Sequence, residues 1–242
     1  MRPQLKRNDR MTRNSRRRTI TAGALALVSL AALSSAAAAG SPSPSAAAGQ
    51  SKTVSLTAQL VELNDSGASG RATATVRNQL IRDIQVHATG LSPDAPHAQH
   101  IHYGDDARNE CPSLFDDTDG DGLINTVEGV PAYGPVVISL TTNGPTTPAS
   151  VLAVDRYPVS HDGAYSYSRS NIEFTAVSGT GYTGGTGTAK QIADSIREGE
   201  GVVVIHGVDY NRNGVYDGEE RSELDPSLPR EATDPAACGI LR

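Results

Sequence analysis

The chain has no tryptophan and only two phenylalanines among its 242 residues. A hydrophobic core therefore cannot rest on large aromatic rings and must be built from Val, Ile, Leu, Ala and Tyr. No segment repeats at a fixed period, which excludes solenoid and propeller architectures. Basic residues are scarce beyond the N-terminus. Without residues 1–40 the Lys+Arg count falls from 21 to 13 and the Asp+Glu count from 27 to 26, a net charge of about −13. That balance argues against nucleic acid and anionic membranes as partners and suits cation binding or solubility.

The missing eight cations cluster in residues 1–18 and precede an apolar run, "ITAGALALVSLAALSSAAAA". The run is short and rich in Ala and Ser for a membrane anchor. It fits a signal peptide over residues 1–40, cleaved near Ala37–Gly40. "SRRRTI" at 15–20 leaves both ordinary secretion and twin-arginine export open. Residues 41–51 read as a Pro/Ser/Ala-rich linker, and residues 52–242 as one folded domain. In an exported chain the two cysteines, Cys111 and Cys238, are expected to pair. The bridge would close a loop of 127 residues, which in the chain-entropy account contributes roughly 4–5 kcal/mol.

Period-two alternation dominates the domain. Strands are expected over 53–63, 71–78, 80–91, 97–103, 134–142, 164–177 and 201–208, separated by Gly, Asn, Pro and Asp clusters. Only 189–200 looks helical, with Ile192 and Ile196 four apart. The pattern predicts an all-β sandwich or barrel with one minor helix and long loops.

Histidine is rare here, yet three of the six fall in "HAQHIH", residues 97–102. Residues two apart on a strand share a face, so His100 and His102 project together. His206 ends the apolar run "GVVVIH", and if the two strands are neighbours a three-histidine metal site forms. Imidazole suits copper and zinc. The competing reading makes these half-buried polar residues of a sandwich edge. His97 is expected to point elsewhere, at the surface or behind the site, and His87 and His161 to be structural or exposed.

"GLSPDAPHAQHIHYGDDARNEC" resembles the copper-ligand strand of the copper/zinc superoxide dismutases, in which a His-x-His pair is followed about nine residues later by a disulfide cysteine. Cys111 follows His102 by nine, His206 resembles that family's later copper histidine, and "AACGIL" at 236–241 resembles its second cysteine segment. "AQHIHYG" is also similar to chordin-type (CHRD) domains. The resemblance implies a Greek-key sandwich, copper held by His100, His102 and His206, a Cys111–Cys238 bridge and a small-anion substrate. The chain departs from that family in three ways. It has no histidine-rich zinc loop, the fourth copper ligand is missing from its place, and the position of the anion-guiding arginine is Pro235, with Arg230 the nearest upstream candidate.

Where that zinc loop would lie, "DTDGDGLINTVE" at 117–128 matches a twelve-residue calcium loop. Asp117, Asp119, Asp121, Leu123 (through its carbonyl), Asn125 and Glu128 fall at positions 1, 3, 5, 7, 9 and 12, with Gly122 at the turn. "DYNRNGVYDGEE" at 209–220 repeats the pattern with Asp209, Asn211, Asn213, Val215, Asp217 and Glu220. Neither loop shows flanking helices in the sequence, and both could instead be acidic glycine turns. Two functional readings stay open. One is an exported copper protein with loops stabilised by Ca²⁺, turning over superoxide or only holding copper. The other is a non-catalytic, calcium-stabilised envelope or matrix module. The oligomeric state is not legible.

Overall fold

The computed structural model describes residues 53–178 and 187–242. The expected signal peptide at 1–40 and linker at 41–51 lie outside the described residues. No described helix is long and apolar enough to cross a membrane.

Eight antiparallel strands run β1 (Thr53–Glu62), β2 (Ser69–Arg77), β3 (Leu80–Thr89), β4 (Gln99–His102), β5 (Val136–Ser139), β6 (Tyr165–Glu173), β7 (Gly201–His206) and β8 (Pro235–Leu241). Their hydrogen-bonded order is β5-β4-β7-β8-β1-β2-β3-β6. The sheet curls into two layers, joined where the end of β1 meets β8 through Val61↔Cys238 and Glu62↔Ala237. The links β3→β4, β5→β6 and β6→β7 cross between the layers, giving the Greek-key sandwich expected from the sequence.

Alternation explains the layers. Leu56, Ala58 and Leu60 of β1 face inward with Ala72, Ala74 and Val76 of β2. They share one core with Ile101, Val203, Ile205 and Leu241 of the other layer. Small residues allow close approach at the seam. A Cβ on Gly239 would sit 2.4 Å from the Gln59 carbonyl oxygen, so only glycine lets β8 lie there.

β7 is buried along its whole length, because its outer face is covered as well. That cover is α1 (Thr126–Tyr133), which the sequence reading missed. With Gly129 and Pro131 inside eight residues, intrinsic propensity opposes a helix here. Capping starts it instead: the Asn125 side chain accepts from the Val127 and Glu128 amides, and Glu128 bonds back to the Asn125 N–H. Val130 and Tyr133 then pack on Val202, Val204 and Cys238, and the Cys111–Cys238 disulfide anchors the preceding loop to β8. The expected helix, α2 (Ala189–Glu198), runs from a Thr188–Gln191 capping box to a left-handed Gly199 and buries Ile192 and Ile196.

Candidate metal centre

β4 pairs with β7 through His100↔Val204 and His102↔Val202, and the His206 amide continues the ladder to the Ala98 carbonyl. Parity then places His100, His102 and His206 on the outer face, beneath α1 and the long loops. All three are at most 4% exposed.

Each ring is fixed from behind. His102 Nδ1 lies 2.7 Å from the Gly134 carbonyl oxygen, and His206 Nδ1 lies 2.6 Å from that of Thr233. A carbonyl oxygen only accepts, so both Nδ1 atoms carry the proton. His100 Nε2 lies 2.8 Å from the Tyr157 hydroxyl, whose own proton goes to the Ser150 carbonyl oxygen 2.9 Å away, so His100 Nε2 is a donor too. That leaves His100 Nδ1, His102 Nε2 and His206 Nε2 as lone pairs, and these three buried atoms have no hydrogen-bond partner. One ligand atom from each ring lies within 4.8 Å of the others.

An unpaired buried polar atom costs about 1–3 kcal/mol, and three together in one place call for a common acceptor of their lone pairs. Three atoms within 4.8 Å of one another enclose a point no more than about 2.8 Å from each, against metal–nitrogen distances of about 2.0–2.1 Å. Shifts of under an ångström would bring one nitrogen of each ring to that distance. The electrostatics agree. Burial lowers the pKa of His102 to about 3, with the His206 ring adding to the effect, and burial lowers that of His206 to about 4. Burial, then the two neighbouring rings, holds His100 well below 6.5. All three rings are neutral at ordinary pH, the form that ligates metal.

The remaining histidines lie apart from this centre. His97 is fully buried rather than at the surface, with its ring against the carbonyls of His206 and Ser92. It braces the backbone of a site residue. His161 is exposed, and His87 bonds Ser166 on an exposed face. Arg230 does not line the cavity above the histidines. Its guanidinium pairs with Asp121, with Glu220 at 3.0 Å and with Asp234 at 2.7 Å.

That clamp joins the two acidic loops. In the first, Asp117, Asp119 and Glu128 come together, while Asp121 turns to Arg230 and Asn125 caps α1. The expectation of no adjoining helix is corrected here: α1 begins inside the loop. Leu123 is held through its amide by Asp121. In the second loop, Asp209 accepts from the Asn213 and Gly214 amides, Asn211 and Asn213 donate to Asp217, and the Val215 amide bonds Asn213. Glu220 stands outside this group, paired with Arg230. Glu231, unnoticed in the sequence, takes the corresponding place. Its carboxylate accepts from the amides of Tyr210 and Asp217, loop positions 2 and 9. Glu128 accepts from the same two positions of the first loop, Thr118 and Asn125. Glu231 lies eleven residues beyond Glu220, so motif spacing could not have found it.

No family model matches the chain, and no curated protein matches it. Among solved structures, the Cu(II) form of superoxide dismutase 5 from Candida albicans is similar, with 17% identity over 72% of this chain and 99% of that one and a TM-score of 0.33. The metal reading rests on the three ring nitrogens.

Proposed function

We propose that the chain is an exported metal-binding β-sandwich protein that holds copper through His100 Nδ1, His102 Nε2 and His206 Nε2. The convergence of three buried, unpartnered lone pairs carries this reading. A set of neutral imidazoles favours Cu²⁺ over other first-row divalent ions in intrinsic affinity. Bound copper would supply one-electron redox chemistry, with superoxide as the small-anion candidate. The Gly134 and Thr233 carbonyls and the Tyr157 hydroxyl fix the rings from behind, and the protein offers no fourth histidine at the centre among the described residues. The disulfide fits an oxidising compartment, which supports secretion or a place in the cell envelope. Ca²⁺ in the 117–128 and 209–220 loops, with Glu231 replacing Glu220, would stiffen the cover of the site.

The acidic charge, and a cavity beside the histidines to which no Lys or Arg contributes among the described residues, favour a second reading, a calcium-stabilised module without turnover. Metal analysis and superoxide consumption on one sample separate the two. About one copper per chain, lost in His100→Ala and in His206→Ala, supports the copper centre, and turnover by the same sample adds the enzyme. Bound calcium without specific copper leaves the module.

A further inference from the structure

His100, His102 and His206 line one side of a cavity of about 220 Å³ whose surface is mostly apolar. Val151, Leu152, Val154, Leu224 and Leu228 form much of its wall, and among the described residues no Asp, Glu, Lys or Arg contributes to it. Leu152 and Val154 are 40% and 42% exposed, which places the mouth on their side.

Resting on the metal reading above, we propose that this cavity takes a small phenol, bound through its oxygen to the ion held by His100, His102 and His206. Three observations select that class. The first is charge: the histidines are neutral and no carboxylate lies in the wall, so a cation there needs one negative donor atom from its ligand. The second is the wall, whose apolar surface gains by burying an apolar body against it. The third is size: an apolar cavity of about 150 Å³ accepts benzene, so 220 Å³ fits one substituted ring and little more. On binding, the hydroxyl proton leaves to solvent and the oxygen bonds the metal, with no redox step. Tyr133, whose ring centroid lies 4.4 Å from that of His102, adds an aromatic wall beside the donor atom.

The test uses the full chain loaded with Cu(II), titrated with phenol and separately with azide as a compact hydrophilic anion, following the visible charge-transfer band and calorimetric heat. The expected result is saturable phenol binding. The double change Leu152→Ser, Val154→Ser should weaken phenol about tenfold and leave azide within about twofold, because only phenol buries apolar surface there. Both positions are partly exposed, so the fold should tolerate them; Leu228→Ser, at another lining residue, is a second variant with the same expectation. Stoichiometric copper that binds azide but not phenol overturns the proposal and leaves the metal centre standing. Equal weakening of both ligands also overturns it. Failure to retain copper overturns both.

Discussion

Acidification should destabilise the metal-free protein through its neutral histidines. In the unfolded chain each ring titrates near 6.5, whereas in the folded chain His102 titrates at about 3 and His206 at about 4. The folded pKa values are depressed for bases, so between these limits the unfolded state binds more protons. Stability is then full above 6.5 and falls as pH drops towards the folded values. From pH 7.5 to 5.0 each of these rings removes about 2 kcal/mol, so the pair removes about 4 kcal/mol, a large share of a typical 5–15 kcal/mol total. His100 acts in the same direction. Asp234 opposes it: burial raises its carboxyl to about 6, against the bonds from Arg230 and Tyr210. The folded state therefore gains a proton there, worth about 1.4 kcal/mol over the same range. Urea unfolding in chelator at pH 7.5 and 5.0, for the parent and for His206→Gln, tests the His206 ring. The variant should lose about 2 kcal/mol less than the parent across that interval. Parallel losses in the two proteins would refute the claim that His206 is neutral when folded and charged when unfolded.

Three further outcomes are expected. Replacing Cys111 and Cys238 by serine should lower stability by about 4–5 kcal/mol, read from denaturant midpoints at constant m-value. Gly239→Ala should destabilise by more than about 1 kcal/mol, because its Cβ would press on the Gln59 carbonyl at backbone, not side-chain, expense; thermal unfolding checks it. Glu231→Gln should reduce the rise in melting temperature on adding Ca²⁺ more than Glu220→Gln does, and the reverse order would return position 12 of that loop to Glu220.

Strands with clean alternation, β1 to β3 and β6, were legible within a residue or a few at their ends, as was α2. β8 was not read as a strand, because "PAACGIL" has little β-branched content and its seam with β1 depends on a glycine. α1 was hidden because its signal is a capping box carrying loop residues, not an apolar stripe. The histidine triad was visible in His-x-His plus a histidine ending a valine-rich strand. Its fixing partners were not: Gly134, Tyr157 and Thr233 act through a carbonyl or a hydroxyl remote in sequence. The same distance in sequence hid Glu231.

The carbonyl that aims His206 belongs to Thr233, and the cysteine that ties down the cover is Cys238. Both stand in or just before β8, the strand that pairs with β7, whereas all three histidines precede it in the sequence. The ring direction of His206 is thus set by an element that must add to β7 after the histidine itself is in place. A chain cut before Thr233 would keep every histidine of the centre and lose the carbonyl that aims one of them.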